Sequence, residues 1–518
     1  MLLAERLPRI KSDSDFWVDE AIWGHRLYDE QTPWLCFLEF LGVASSENAS
    51  GRAFVEESFN SLRYTPNRRL HLRNILFNNP FLPSVLEQYK SEEDRWRRWF
   101  ELMSRAAGGL VDTDFSYLKK RFGSFSEFAE VVKFLQASSI EGDSNKRWSS
   151  KFVFPYGPDC LYEDLRVGRT EASNDRRFFA RTGELLYLMV CRSGLNCEVF
   201  SILSQLGLLE SSSNGSSARK WNSLVALLQP EHDAKGKGGA SAYLPYSRLP
   251  EFTALAEDWS QLAACKMPGY DSVPHFVTLA GLHMLLYYLR RATVEICGEP
   301  VKFIIEIVAP KKTALRELSA ESYQFNDALS EKAVRAYIAD FTKSSEWQQA
   351  LLDQDSVTAA KELISEYFEW ERNLENLTTP DALIEQVLND VLSRHKQHVK
   401  KFHSSWSREI GLASARASRR TRYAPTDNLL KTLVFTCVTR RMEFQEFLVI
   451  LYEKYGFVIG DKQAESLVSS GGADQEIFSQ NAARLEERLA RLGLLRRLSD
   501  ACAYVQNPYF SEPEDASA

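Results

Sequence analysis

Glu306, in the run VKFIIEIVAPKK, is the residue that most invites a chemical reading. A restriction-type nuclease needs an upstream acid and then Glu-x-Lys on a strand, so that the carboxylate binds magnesium and the ammonium steadies the attacking water. Here Val308 stands where that lysine belongs, and Lys311 and Lys312 fall beyond Pro310. A metal-dependent nuclease would therefore need a non-standard site, and Glu306→Ala is expected to be tolerated. His395, His398 and His403 fall near one helical face, but lysines surround them and no carboxylate pattern joins them, so no metal is expected. AKGKGGAS, residues 234–241, lacks the GxxxxGK[ST] order and a preceding apolar strand, so it reads as a loop rather than a phosphate cradle. There is no GxSxG elbow and no Cys–His pair in a recognisable setting. The residues state no reaction and call for no cofactor.

Positive charge is the more informative pattern. Arg394, Lys396, Lys400, Lys401, Arg408, Arg416, Arg419, Arg420 and Arg422 face a single acid, Glu409, over that span. So lopsided a run repels itself unless it meets phosphates or an acidic protein surface. Trp406 and Tyr423 would offer rings for stacking on bases. Arg176, Arg177 and Arg181 cluster at a helix start with Glu184 one turn on, and would contact an anion or a partner's carboxylates. The plainer reading pairs them with Asp159, Glu163 and Asp164, and the near balance of charge favours it.

The elements that must position these residues are mostly helical. Residues 85–107 place Leu86, Tyr89, Trp96, Trp99, Phe100 and Met103 along one stripe of an amphipathic helix, and residues 126–137 make another. Asn174-Asp175 is a candidate cap for the helix that follows. The apolar run 276–289 is too short to span a bilayer and reads as a buried core helix. VKFIIEIVA, residues 301–309, is the clearest strand, and Thr379-Pro380 starts a new helix. At the C-terminus, helices over residues 429–438, 443–455 and 475–492 precede a small hairpin around Ser499-Asp500. Helix, helix, helix, two-stranded wing is the order of a winged helix-turn-helix, whose third helix enters the major groove while the wing touches the backbone. Asn481, Arg484, Arg488 and Arg491 would lie on the outer side of the third helix, and Arg496 and Arg497 on the hairpin.

The expected fold is thus mainly α and multi-domain, with helical N-terminal and central regions, a short β element near 301–309 and a C-terminal winged helix-turn-helix. The corresponding division is a helical domain over 1–150, a central mostly helical domain over 151–300, and a strand followed by helices over 301–403. A basic linker over 404–426, an independently folding winged-helix domain over 427–510 and an acidic disordered tail over 511–518 complete it. At 518 residues the chain is too long for one core, and its net charge of −7 argues against a protein that coats nucleic acid over its whole surface. Eight cysteines without a CxxC pair suit buried free thiols in a reducing cytoplasm. The N-terminus, MLLAERLPRIKSD, has no signal-peptide core, so a cytoplasmic protein without a membrane partner is expected.

FPYGPDCLYEDLR (154–166), DRRFFARTGELLYLM (175–189) and the closing helix-and-hairpin together resemble accessory proteins of multi-gene bacterial anti-phage defence islands, nearest the methylation-associated defence system. The resemblance brings no catalytic motif. It implies a non-catalytic component that works beside enzymes of the same system and binds other proteins of that system. Combined with the basic residues, the expectation is contact with double-stranded DNA through Arg416, Arg419, Arg420, Arg422, Arg484, Arg488, Arg496 and Arg497. A protein–protein scaffold that binds no DNA is the alternative.

Overall fold

The computed structural model describes residues 18–510 apart from 56–61, 63, 65–69, 78, 108–113, 138–163, 168–171, 176–179, 210–226, 231–243, 245, 247, 309–313, 369, 371–372, 416–419 and 499–501. Helices dominate, as the periodicity requires, and the strands are few and short. The chain divides into two units.

The first unit spans residues 34–191 and 200–243. The single helix expected over 85–107 is two, Leu82–Gln88 and Glu92–Ala106. Tyr89 turns extended, and Ser91 caps the second helix by accepting the Asp94 N–H at 3.2 Å. That satisfies one of the four donors every helix start leaves open, and Glu92, Glu93 and Asp94 complement the dipole there. Trp96, Trp99 and Met103 form the buried stripe, and the indoles pack edge-on against Phe125 and Phe128 of the helix Phe125–Ala137. Trp99 satisfies its buried Nε1–H on Asn79 Oδ1 at 3.0 Å. Asn174-Asp175 lies in β2 (Ala172–Asp175), which pairs antiparallel with β1 (Asp164–Val167), and the next described helix starts at Thr182. That helix, Thr182–Cys191, is buried on every side, so its first donors need an internal acceptor. Buried Glu39 supplies it, accepting from Arg181 N at 3.0 Å and Gly183 N at 2.8 Å.

The second unit holds residues up to 33, 192–199 and those from 244 onward. Its axis is the helix Gly269–Glu295, which begins before Pro274 rather than at it. From Phe276 to Leu289 almost every side chain is buried, including Tyr287 and Tyr288, so the apolar run is a core helix. A Cβ on Gly281 would stand 2.4 Å from Ile410 Cγ2, so glycine lets the helix Phe402–Glu409 and the turn after it approach closely. No single helix among the described residues is long and apolar enough to cross a membrane. The N-terminal helix Val18–Trp23 is pinned here. Trp23 is fully buried, donates to Tyr288 O at 2.9 Å, accepts from the Tyr287 hydroxyl at 2.6 Å, and stacks on Tyr288 and His395.

His275, on the axial helix, hydrogen-bonds Thr432 Oγ1 at 2.7 Å and meets Phe435 edge-on. Burial, with the Lys431 ammonium adding, lowers its pKa to about 4. The unfolded chain takes up this proton near pH 6.5 and the folded chain only near pH 4, so stability falls as pH drops through that window. His275→Gln is expected to flatten the pH dependence of the unfolding midpoint between about pH 6.5 and 4; a parallel profile in the variant would refute this.

The strand expected over 301–309 reduces to β3, Phe303–Ile304. Residues 303–307 still run without a helix, but their N–H groups go to Gly456 O, the Ser322 hydroxyl, Val458 O, Tyr423 O and Asn481 Oδ1 in turn. That is one segment held by several neighbours instead of one ladder, which is why the strand assignment is so short. Residues 404–426 are no linker where described. Phe402–Glu409 is a helix with Trp406 fully buried, and β4 (Ala413–Ser414) pairs antiparallel with β5 (Arg422–Tyr423).

Candidate nucleic-acid interface

From Thr426 the order is helix Asp427–Cys437, strand β6 (Met442–Glu443), helix Phe444–Tyr455, strand β7 (Phe457–Val458), a short turn of helix, helix Gln475–Arg491, and strands β8 (Leu495–Arg497) and β9 (Ala503–Val505). Thr426 caps the first helix, accepting from Leu429 N at 3.4 Å. Gly456, at φ 75°, ends the second, and a Cβ there would meet Val301 O at 2.5 Å. β7 pairs in parallel with β3, and β6, β9 and β8 form a three-stranded antiparallel sheet in that order.

The arginines of the third helix and hairpin mostly meet acids of the same stretch. Arg488, half-buried rather than fully exposed, reaches Asp427 at 2.6 Å, Arg491 reaches Glu487 at 2.7 Å, and Arg497 pairs with Glu486. Arg484 is also half-buried, and its hydrogen bond among the described residues is to Gln480 Oε1 at 3.5 Å. Asn481, expected on the outer face, is fully buried. It donates to Ile305 O and Ile459 O and accepts from Ile307 N, all within 3.0 Å. One amide thereby bolts the third helix to the 303–307 segment, while Leu315 joins Val458, Ala464 and Phe478 in a shared apolar cluster. The residues expected to fold as a separate module are fastened through Asn481 to the chain 174 to 176 positions earlier.

A better-exposed cationic surface lies on the sheet. Met442, Val505 and Leu495 are cross-strand partners and point inward. Their neighbours Glu443, Tyr504 and Arg496, also in register, must then share the outer face. Arg496 is exposed, and among the described residues its side chain has no hydrogen-bond or ion-pair partner. Arg441 lays its guanidinium over the Tyr504 ring, 4.3 Å from the centroid, with its Nε buried and unbonded. Two arginines flank one aromatic ring. Sequence reading missed Arg441 and Tyr504; the available signal was the out–in–out alternation Arg441, Met442, Glu443 just before a helix.

The other expected contacts fare differently. Arg422 is fully buried and bonds Glu306, whose second oxygen accepts Arg316 Nε at 2.9 Å. It is withdrawn from any surface role, and Glu306 is neutralised by two guanidiniums instead of being poised for a metal. Trp406 and Tyr423 are fully buried and cannot stack on bases. Arg420 is exposed, whereas Arg416, Arg419, Arg176 and Arg177 lie outside the described residues. Arg181 pairs with Glu184 at 3.0 Å, at the helix start that Glu39 already fills.

Residues 302–509 match the family model for methylation-associated defense system protein MAD7. No curated protein and no solved structure matches the chain. The MAD7 match agrees with the resemblance to defence-system accessory proteins where that rested on the C-terminal elements; residues 154–189 lie outside it. The matched stretch opens at the residue before β3 and closes after β9, so it takes in both halves of the Asn481 fastening and the Glu306–Arg422 pair.

Three histidines of the same unit sit in buried polar chains. His403 contacts Asp327 at 2.9 Å and the Tyr423 hydroxyl at 2.7 Å, and that hydroxyl accepts from Asn326 at 2.9 Å. Burial holds His403 below its ordinary pKa despite Asp327, and a neutral ring fits the run of donors Asn326, Tyr423, His403. His395 lies between Asp19 and Ser330, at 2.7 and 3.1 Å, in nucleophile–base–acid order, but all three are sealed from solvent. His283 contacts Asp258, which also accepts from Tyr455 at 2.6 Å and from Lys454. Cys437, 3.5 Å from that tyrosine hydroxyl, is pushed up to about 12 by burial and the Asp258 charge, so it stays an unreactive thiol. Among the described residues no three metal-binding side chains converge.

Proposed function

We propose that this protein is a non-catalytic, cytoplasmic component of a methylation-associated defence system, and that its C-terminal elements form a winged helix which holds duplex DNA and partner proteins. The observation that carries the DNA reading is the outer sheet face, where Arg441 and Arg496 flank Tyr504 and, among the described residues, no carboxylate is bonded to either arginine, although Glu443 shares the face. Arginine forks suit phosphate oxygens, and an aromatic beneath one holds it in place. Arg484 would add a contact from the third helix. The non-catalytic reading is supported by the carboxylates themselves: Glu306, Asp258 and Asp327 are each occupied by cations or hydrogen-bond donors of the chain.

A specific observation favours the scaffold as a second reading. Residues 427–510 carry ten basic and eleven acidic side chains, so attraction to a polyanion must come from placement rather than net charge. Full-length protein titrated with labelled duplex at several salt concentrations decides between the two. Arg441→Ala with Arg496→Ala is expected to lower the salt slope by about two contacts' worth. Failure of the parent protein to bind duplex would leave the scaffold.

A further inference from the structure

The end of the helix Pro380–His398 and the start of Phe402–Glu409 present a second cationic surface. Lys396, Lys401 and Arg408 are exposed and Lys400 is half-buried, its ammonium donating to Asp327 O at 2.8 Å. Lys396 is in the last turn of the first helix, Lys400 and Lys401 lie in the turn that joins it to the second, and Arg408 is in the last turn of the second. Two acids on the helix Ala314–Thr342 tie them together. Glu331 is held below the usual carboxylate range first by its bond to Arg335, with the Lys400 and Lys396 ammoniums adding. Burial works against the charge of Asp327, but the His403 bond and the nearby Lys400 and Arg408 outweigh it. Arg335, Lys396, Lys400, Lys401 and Arg408 thus form one ridge. The acids set against them are Glu331 and Asp327, both partly buried, Asp29, buried beneath Lys401, and the exposed Glu409 next to Arg408.

Helix electrostatics explain only half of this ridge. Lys396 and Lys400 sit at a helix C-terminus, where cations are favoured. Lys401 is the N-cap of the next helix, at its positive end, where a cation is disfavoured. Between residues 380 and 409 no large apolar side chain is exposed. A protein interface draws its energy from buried aromatic and arginine anchors and is depleted in lysine, whereas a polyanion needs only charge along a track.

We infer that the ridge of Lys396, Lys400, Lys401 and Arg408 is a second contact for the sugar-phosphate backbone of nucleic acid, beyond the sheet face. The inference rests on the DNA reading above and deepens it: the ridge supplies positions and charge, without reading bases. The test is Lys396→Gln, Lys401→Gln and Arg408→Gln combined in the full chain, titrated with labelled duplex at several salt concentrations. Each lost contact removes about 0.9 from the slope of log affinity against log salt, so a drop of about 2.7 is expected. The charge-keeping pair Lys396→Arg and Lys401→Arg is expected to retain the parent slope, which separates lost charge from lost folding. A parent that binds while the triple variant keeps its slope overturns the ridge and spares the sheet face. A parent that does not bind duplex overturns both.

Discussion

Glu306→Ala is expected to destabilise the unit containing it by about 3–5 kcal/mol, the cost of leaving buried charge uncompensated. Glu306 is fully buried, Arg422 nearly so, and Arg316 only slightly exposed. Removing the carboxylate takes from Arg422 and Arg316 the buried ion-pair partner they share. The loss would appear as a lowered unfolding midpoint and lowered abundance, with no dependence on added magnesium. The sequence argues for tolerance at this position because it assigns Glu306 no metal. The structure gives the opposite expectation for a reason unrelated to catalysis. Replacing Glu306, Arg316 and Arg422 together by apolar residues of similar volume is expected to restore most of the loss, since desolvation of the charges is then avoided as well. A single variant as stable as the parent would mean that the two arginines find other acceptors.

Trp23→Ala is expected to cost a further unit of the same size, about 3–5 kcal/mol. The indole is fully buried and bridges the axial helix, through Tyr287 and Tyr288, to His395. Its removal opens a cavity and leaves the Tyr288 carbonyl without that donor. Trp23→Phe would keep most of the volume but lose the N–H, so about 1–2 kcal/mol should remain. Denaturant unfolding followed by tyrosine and tryptophan emission measures both. Equal stability of all three proteins would show that the N-terminal helix is peripheral.

What sequence reading captured was the part fixed by local rules. The stripe of Trp96, Trp99 and Met103 and the helix start at Thr379-Pro380 follow from spacing and capping chemistry within a few residues. What it missed was set by distant partners. Asn481 looks like a surface residue among arginines until the 303–307 backbone arrives beside it. Arg422 looks like one more cation of a basic run, and only Glu306, 116 positions away, makes it a core residue. Arg441 and Tyr504 become neighbours through a strand register that no periodicity encodes. Arg496 is thus legible from the sequence as an exposed arginine of the hairpin, whereas its neighbours across the sheet are not.

The fastening of Asp19 to His395 has a consequence for how the protein is made. These partners are 376 residues apart. At about 5–20 residues per second, the ribosome takes on the order of 20–75 s to deliver His395 after Asp19. For much of that interval Trp23, destined for the core, waits for Tyr287 and Tyr288, which follow it by 264 and 265 residues. This segment is made long before the partners that bury it, so a holding chaperone, or a unit that folds quickly downstream, would matter more to the yield of this protein than its final stability does.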